Sequence, residues 1–579
     1  MTSLEEIRHS AAHVLAAALQ RLYPQTKFDI GPPTETGFFY DIDCPCRLSS
    51  ADFEEIEAEM AKIIAEDQTF IQKTVTREEA HQHFIDNDQI FKISRLADIP
   101  KEEEITFYTN GDFTDLCAGT HVESTGKIGV FKLLSISGSY HRGDENQRQL
   151  QRIHGTAFST KKELETHILA LEEAARRDHR KLGAELKLFR LDASIGSGLP
   201  LLLPRGATIR AELERMLSEK LEDYGYDRLY SPHIGSIDLF KTSGHYPFYA
   251  EDMYQPIKIE EREFLLKPMN CPMHIQAYTA EPRSYRDLPQ RYAEYGTVYR
   301  MEQSGELNGL VRVRGFTQDD GHVFCRPEQL KDEFKSCLRL VQEVMTLFGL
   351  STKCRVSLRD PENSNKYAGD DSLWTPAEAC IQEVVDELKL EHSVGLGEAA
   401  FYGPKLDFMA LDALGRSWQL GTIQVDFSLP ERFSLEFTGS DNQHHRPVMI
   451  HRAVFGSLER FIGLLIEHFT GEFPLWLAPE QIRIIPITDA QVEAADALLA
   501  RCKSLRLRAT IDDSSNKMGA KIRRAQLEKA PLMVILGKRE VENNQVSVRS
   551  RAKGDEGSID TEKFLKQLQA KIANREEQA

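Results

Sequence analysis

The sequence of 579 residues lacks the marks of an exported or membrane-bound chain. Met1-Thr2-Ser3-Leu4-Glu5-Glu6 offers neither a basic n-region nor an apolar h-region, so no signal peptide is predicted. No apolar run approaches the roughly 18 residues of a membrane span, and the stretch Phe461–Ile466 ends at a charge. The nine cysteines are odd in number and scattered, which suits reduced thiols better than a disulfide framework. Together these absences predict a cytoplasmic protein with no membrane partner. Basic charge is not in excess: 72 Lys+Arg stand against 90 Asp+Glu, a net −18. That balance excludes a protein that coats nucleic acid indiscriminately, because such binding needs a basic surface. There is no internal repeat, no low-complexity segment and no G-x-x-x-x-G-K-[ST] phosphate loop. The string Gly395-Leu396-Gly397-Glu398-Ala399-Ala400 lacks a strand–turn–helix frame, so any nucleotide must be held by another device.

What is present is an ordinary globular composition, 41 % hydrophobic and 28 % charged, over a length that suggests roughly four domains. Phe53, Ile56, Met60, Ile63 and Ile64 recur at helical spacing within an acidic stretch, which predicts an amphipathic helix over 52–67. Leu164, Ile168, Leu171 and Ala175 form a stripe in a charged segment without Gly or Pro until Gly183, predicting a connecting helix that ends in the basic cluster 176–181. Gly196–Pro200 and Pro204–Gly206 punctuate the entry to a new domain, and a further boundary falls near Pro474–Pro479. In the middle, Val311–Phe316 and Leu406–Leu411 alternate as half-buried strands do, which predicts a large antiparallel sheet with helices on one face. After 479, strands near 482–487, 507–511 and 532–536 alternate with helices, which predicts a small α/β domain with a mainly parallel sheet.

Three constellations carry chemistry. His9 and His13 stand at i and i+4, on one helix face. About 0.6 such pairs are expected by chance from 18 His, so the pair alone is weak. Cys117-Ala118-Gly119-Thr120-His121 repeats the spacing in a Gly-containing loop. Together the two segments supply imidazoles and a thiol, fit for zinc, for acid–base work, or for satisfied polar positions. Tyr299-Arg300-Met301-Glu302, a loop, and Val311–Phe316 read as a β-hairpin with several arginines on a sheet face. Guanidinium groups there suit a polyphosphate, against the plainer reading of a solvated charged face. Arg460 lies beside an apolar helical stripe, Leu458, Phe461, Ile462 and Leu465, either reaching solvent or holding an anion.

Put in order, these segments resemble the class II aminoacyl-tRNA synthetases, and within them the bacterial threonyl-tRNA synthetase family. Tyr299–Phe316 matches the second class motif, Gly456–Arg460 the third, and Tyr230-Ser231-Pro232 lies where the dimer-forming first motif falls. Pro268-Met269-Asn270-Cys271-Pro272, Arg314–His322 and His451-Arg452-Ala453 are more specific to the threonyl branch. The match spans essentially the whole chain, without the family's N-terminal ubiquitin-like domain. The fold implied is α+β and multidomain. An editing domain of α+β type would occupy 1–158, a linker helix 159–183, an antiparallel-sheet catalytic core 184–477 and an α/β anticodon-binding domain 478–579.

The function implied is ATP-dependent attachment of L-threonine to tRNA(Thr) through threonyl-adenylate, with hydrolysis of mischarged Ser-tRNA(Thr), in a homodimer. By resemblance, Cys271, His322 and His451 ligate one catalytic Zn²⁺ per subunit, and threonine's amino and hydroxyl groups complete its shell. Their separations of 51 and 129 residues escape any short zinc pattern. Asp320 would accept a hydrogen bond from that substrate. Arg300 would hold the α-phosphate, Glu302 the adenine amino group, and Phe316 the adenine face. Arg312 and Arg460 would meet the β/γ-phosphates, with Gln419 and Gln424 nearby, Lys405 beside the substrate carboxylate or phosphate, and Mg²⁺ accompanying ATP. Valine lacks the hydroxyl and is rejected by such a site. Serine lacks only a methyl, worth about 1–3 kcal/mol, so a second, hydrolytic site is needed. His9, His13, Cys117 and His121, with Asp115, match the family's editing motif, which implies water activation without a required metal. Arg523, Glu540 and Arg549 match positions that read anticodon bases. Residues 501–553 carry a local balance of +9, which predicts a basic RNA-facing domain on an acidic body.

Overall fold

The computed structural model describes residues 3–144, 146–411 and 417–576, and the Met1-Thr2 start lies outside them. The chain divides into two compact units, Met1–Glu173 and Ala174–Ala579.

The first unit is built on helix α1 (Leu4–Leu22). Ser3 and Glu6 cap it reciprocally: the Ser3 hydroxyl accepts the Glu6 N–H at 3.1 Å and the Glu6 carboxylate accepts the Ser3 N–H at 2.8 Å. From Ala11 to Leu19 every residue of α1 is buried, and five alanines in that span let neighbouring elements approach closely. Strands β1 (Lys27–Phe28) and β2 (Phe38–Asp43), helix α2 (Phe53–Ala65), strand β3 (Ile71–Val75), and helices α3 (Arg77–Asp86) and α4 (Ile90–Asp98) follow. Then come β4 (Ile105–Asn110), β5 (Phe113–Leu116), β6 (Val130–Tyr140) and β7 (Gln149–Phe158). They form two sheets, in the orders β1-β2-β7-β6 and β3-β4-β5. Helix α2 buries Phe53, Ile56, Met60 and Ile63, as its periodicity predicts. Helix α5 (Lys161–Arg177) buries none of its residues. The connecting helix predicted to run on to 182 breaks at Asp178, whose side chain accepts the Arg180 N–H and so starts α6 (His179–Glu185).

The second unit carries α7 (Pro204–Asp223), β8 (Asp227–Arg228), α8 (Cys271–Tyr278), β9 (Gln290–Tyr299), β10 (Gly315–Cys325) and α9 (Leu330–Leu347). These are followed by β11 (Thr352–Leu358), α10 (Asp371–Glu387), β12 (His392–Leu396), β13 (Lys405–Leu411), β14 (Ser417–Asp426), β15 (Val448–Ser457) and α11 (Leu458–His468). Eight strands form one sheet in the order β8-β9-β10-β15-β14-β13-β11-β12, antiparallel except at its two edges. One face is apolar: Val323, Phe408, Ile423, Val425 and Ile450 pack against Leu213, Leu217, Leu338, Val341, Phe461 and Leu465 of the helices. At about 1.5–3 kcal/mol for each buried side chain of this size, this cluster is the main stabilising mass of the second unit. The opposite face is free to be polar, because strand residues alternate sides.

The predicted hairpin is present, but its strands are longer and lie further from the turn, which is itself longer than predicted. β9 and β10 pair from Gln290↔Phe324 to Tyr299↔Gly315, so Arg300, Arg312 and Arg314 sit in the connecting loop and not on a sheet face. The period-two pattern of Val311–Arg314 comes from a turn closed by the Asn308↔Arg312 bridge, with Leu310 and Val313 buried.

The C-terminal part holds β16 (Ile482–Pro486), α12 (Val492–Ser504), β17 (Ala509–Ile511), α13 (Met518–Leu527), β18 (Leu532–Leu536), α14 (Lys538–Glu542), β19 (Gln545–Ser550), β20 (Gly554–Asp560) and α15 (Thr561–Ala573). The sheet order is β17-β16-β18-β19-β20, with the first three strands parallel, as predicted, and two antiparallel strands added.

Candidate active site and editing pocket

The polar face of the eight-stranded sheet carries two rows of aligned residues. Across the ladder, His322 lies opposite His451, His451 opposite Gln424, and Gln424 opposite Lys405. Two residues along, Glu294, Asp320, Ala453, Thr422 and Asp407 align in the same way. Strand register therefore assembles side chains from four distant segments, and a cavity of about 390 Å³ opens above them. It is lined by Cys271, Asp320, His322 and His451 at one end and by Arg300, Phe316, Gln419 and Arg460 at the other, with Lys405 and Gln424 also in its wall. Glu302 and Arg312 do not line it. They stand on the loop, where Arg312 pairs with Glu306 at 3.2 Å and approaches Glu302 at 3.9 Å.

At the first end Cys271 begins α8, and the ligand atoms of Cys271, His322 and His451 lie within 4.8 Å of one another, all three residues buried. The hydrogen bonds around them assign the ring protons. His451 Nε2–H donates to the fully buried Asp426 carboxylate at 2.8 Å. His322 Nδ1–H donates to His274 Nδ1 at 2.9 Å, and His274 Nε2–H donates to Glu294 at 3.0 Å. The nitrogens left over, His322 Nε2 and His451 Nδ1, face each other at 3.1 Å with both lone pairs inward. Two facing lone pairs suit a shared cation. Two nitrogens each about 2.1 Å from a tetrahedral ion would be roughly 3.4 Å apart. Burial pushes the Cys271 thiol well above its ordinary range and His322 well below. One thiol, two imidazoles and oriented outer partners are a donor set that could hold a zinc ion and leave a coordination position open. Burial also raises the Asp320 carboxyl, which accepts Asn270 Nδ2–H at 3.0 Å.

At the other end Arg300 stacks 5.2 Å over the Phe316 ring. Arg460 donates through Nε to the Val311 carbonyl at 3.0 Å. Burial, then the Arg312 and Arg300 charges, lower its proton affinity, so this end is a pocket of crowded positive charge that an anion would relieve. Between the ends, the fully buried Asp407 accepts Gln419 Nε2–H at 2.7 Å and Thr422 Oγ–H at 2.9 Å, and pairs with Lys405 at 2.9 Å. Sequence reasoning missed Asp407, Asp426, His274, Glu294 and Tyr402, which stacks 4.8 Å from the His451 ring. It also set aside Glu398-Ala399-Ala400, which line the cavity. Lys405-x-Asp407 on an alternating strand was the one available signal.

In the first unit, a cavity of about 280 Å³ is lined by His9, His13, Asp115 and Cys117. His121 stands behind His9, ring centroids 4.3 Å apart, and joins Cys117 at 3.3 Å. His9 Nδ1–H donates to the Thr120 carbonyl at 3.3 Å, leaving Nε2 to accept the Cys117 thiol proton at 3.2 Å. Burial holds the thiol up at about 11 and His121 down at about 2, so the cluster is neutral and its sulfur is no thiolate. His13 differs. Its Nδ1–H donates to Asn110 at 2.9 Å, its Nε2 is buried without a partner, and burial lowers it to about 4. It is a neutral base with a free lone pair at the cavity wall. Asp115 is pushed up by burial but held below the ordinary carboxylate range by Lys92, 2.5 Å away, and by His13. Lys92 and Tyr40, which both bond Asp115 or each other, are further lining residues that sequence reasoning missed.

In the C-terminal part Arg523 is exposed on α13. Glu540 caps α14, accepting the Gly537 N–H at 3.1 Å. Arg549 lies half-buried on β19 with Nε unpartnered. The basic excess of 501–553 is partly internal: Arg501, Arg508, Arg524, Lys529, Lys538 and Arg551 all pair with carboxylates. The expected basic RNA face is thus smaller than the charge count suggests.

An antiparallel sheet with a polar face, a motif-bearing loop and an arginine on the following helix define a class II aminoacyl-tRNA synthetase. Family models agree: "tRNA synthetase class II core domain (G, H, P, S and T)" matches residues 254–469, "Anticodon binding domain" 481–571, and "Threonyl and Alanyl tRNA synthetase second additional domain" 105–154. The threonine–tRNA ligase of Chloroherpeton thalassium is 48 % identical over 575 residues, 98 % of this chain and 87 % of that protein. That of Deinococcus radiodurans is 52 % identical over 553 residues, covering 94 % and 85 %. A crystal structure titled as the RNA binding domain of threonyl-tRNA synthetase from Cryptosporidium parvum aligns with TM-score 0.66 and 35 % identity over 68 % of this chain and 98 % of that one. The chain belongs to the threonine–tRNA ligase family.

Proposed function

We propose that the paired rows of the eight-stranded sheet bind L-threonine and ATP side by side, and that the first unit hydrolyses Ser-tRNA(Thr). The observation that carries this reading is the single continuous cavity with an imidazole–thiol end and an arginine end. In it the threonine carboxylate attacks the α-phosphorus of ATP in line, giving threonyl-adenylate and pyrophosphate. The tRNA ribose hydroxyl then attacks the acyl carbon and AMP leaves. Cys271, His322 and His451 would hold one zinc ion, which when bound supplies a Lewis acid for the amino and hydroxyl groups of threonine. Asp320 accepts a hydrogen bond from the bound amino acid, and Lys405 neutralises carboxylate or phosphate. Arg300 and Arg460, with Arg312 from the loop and Mg²⁺, offset charge developing on the phosphates, while Phe316 and Glu302 hold adenine and Gln419 and Gln424 flank it. The protein's share is positioning and electrostatics more than covalent chemistry.

In the first unit His13 Nε2 would activate water, with Asp115, Cys117, His9 and His121 shaping the pocket. Arg523, Glu540 and Arg549 would meet anticodon bases. We assign 1–158 to editing, 159–183 to the linker, 184–477 to catalysis and 478–579 to the anticodon. A cytoplasmic homodimer fits nine unpaired thiols and the absence, among the described residues, of any helix long and apolar enough to cross a membrane. The test is ATP–pyrophosphate exchange with threonine, serine and valine, together with metal analysis. Exchange is expected with threonine, weakly with serine and not with valine, at about one zinc per chain; no exchange with threonine would sink the reading. His13→Ala should slow Ser-tRNA hydrolysis about 10²–10⁴-fold and leave threonine activation unchanged. Clearance of Ser-tRNA at the parent rate would remove His13 from that role.

A further inference from the structure

His179 takes no part in the roles above, yet it is 3 % exposed and makes contact with two other segments. It opens α6. Its Nδ1–H donates to Glu467 of α11 at 2.7 Å, and its Nε2 accepts the backbone N–H of Leu310 at 3.1 Å. Both ring nitrogens are therefore engaged, and the Asp178–His179–Glu467 cluster has no imidazole lone pair to offer a cation.

Leu310 belongs to the tight turn that Asn308 and Arg312 close by exchanging backbone hydrogen bonds of 3.1 and 3.2 Å. Gly309 takes φ +52° there, and a β-carbon on it would lie 2.1 Å from His179 Nε2. Leu310 is fully buried, and the next carbonyl, that of Val311, receives Arg460 Nε–H at 3.0 Å. One turn thus meets His179 through its N–H, Arg460 through a carbonyl, and carries Arg312.

We propose that His179 is a positioning residue for ATP: it holds the 308–312 turn in the one conformation that aligns Val311 with Arg460 and presents Arg312. The inference rests on the reading of Arg300, Arg312 and Arg460 as ATP ligands. The turn lies outside the sheet ladder; the two Asn308–Arg312 backbone hydrogen bonds fix its ends but leave the left-handed Gly309 and Leu310 between them more than one conformer. An acceptor for the buried Leu310 N–H selects one, because leaving that group unpaired is costly.

The experiment is threonine-dependent ATP–pyrophosphate exchange by the full chain, with KM measured for each substrate. His179→Ala should raise the KM for ATP about tenfold, equivalent to about 1.4 kcal/mol, and leave the KM for threonine within twofold. His179→Gln, whose side-chain oxygen reaches the Nε2 position, should recover most of the loss; His179→Asn, which reaches only the Nδ1 position, should not. Hydrogen exchange at the Leu310 amide should quicken in the Ala and Asn variants alone. An unchanged KM for ATP in His179→Ala overturns the proposal, as does an equal rise for both substrates, which would mark a merely structural role. Should His179→Ala fail to fold, Gly309→Ala decides in the same assay, since its β-carbon displaces the ring: an unchanged KM for ATP there overturns the proposal too. A parent chain inert with threonine and ATP overturns the functional reading itself, and an active parent with an unaltered variant overturns only this inference.

Discussion

Replacing Asp426 by Asn tests the proposed zinc site through the ring proton of His451. The Asp426 carboxylate serves two sides. One oxygen accepts the backbone N–H groups of Ser428 and Leu429 at 2.7 and 2.9 Å, and the other accepts His451 Nε2–H at 2.8 Å. An asparagine has one oxygen and one NH₂, so it can satisfy only one side. If the amide turns its NH₂ to the backbone, two buried N–H groups lose their acceptor, at roughly 1–3 kcal/mol each. Keeping its oxygen there is cheaper, so its NH₂ faces His451. The ring must then move its proton from Nε2 to Nδ1, the nitrogen that faces His322. That proton blocks a metal, and returning it to Nε2 sets two buried N–H donors against each other without an acceptor, at about 1–3 kcal/mol. Zinc affinity should therefore fall about 10–100-fold, in line with other partners of metal-bound imidazoles. Competition with a chromophoric chelator, on full-length protein loaded with zinc, measures this directly. The KM for threonine should rise with zinc loss and recover at saturating zinc. Zinc affinity within threefold of the parent would refute the proton assignment.

Two further outcomes follow from the buried charges. Lys92→Met leaves the Asp115 carboxylate, 5 % exposed, without its cation. The first unit should lose about 3–5 kcal/mol, read from faster hydrogen exchange in α1, and Lys92→Met with Asp115→Leu should regain much of it; a Lys92→Met chain as stable as the parent contradicts the pairing. Glu294 is pushed up by burial but drawn down further by His274, Ser231 and Lys267, to about 2. Its folded value lies below its unfolded one, so its stabilisation is complete above about pH 4.5 and is lost as pH falls towards 2. Glu294→Gln should flatten the acid limb of the second unit's unfolding curve by about 2–3 kcal/mol, and an unaltered limb would contradict it.

Much of the fold was legible because periodicity reports burial directly. The α2 stripe and the alternating strands after 479 emerge with their predicted types. The pattern misled where a turn imitated a strand: within Val311–Arg314 only Val313 is buried, between Arg312 and Arg314 on a loop, while the next buried residue, Leu310, lies three positions back. The linker helix was read as unbroken because no Gly or Pro marks Asp178; the break is made by a side-chain cap. The grouping of Cys271, His322 and His451, which could hold a metal, was visible only by resemblance, since residues 51 and 129 apart have no local signature. The residues that orient it, Asp426, His274 and Glu294, had none either, because a buried carboxylate on a strand looks in sequence like an exposed one. Lys92 was hidden similarly, one lysine on a short amphipathic helix.

The alignment of His322 with His451 across β10 and β15 also bears on how the enzyme comes to exist. Between them the chain makes α9, four further strands of the sheet and α10, so closing that pair means ordering a loop of over a hundred residues. Contacts of such sequence separation form slowly, after local helices and hairpins. The pocket formed by Cys271, His322 and His451 should thus be a late product of folding, completed only when these two strands pair. Metal occupancy can serve as a clock for completion of the central sheet: during refolding, zinc uptake should lag helix formation and coincide with the first ability to activate an amino acid.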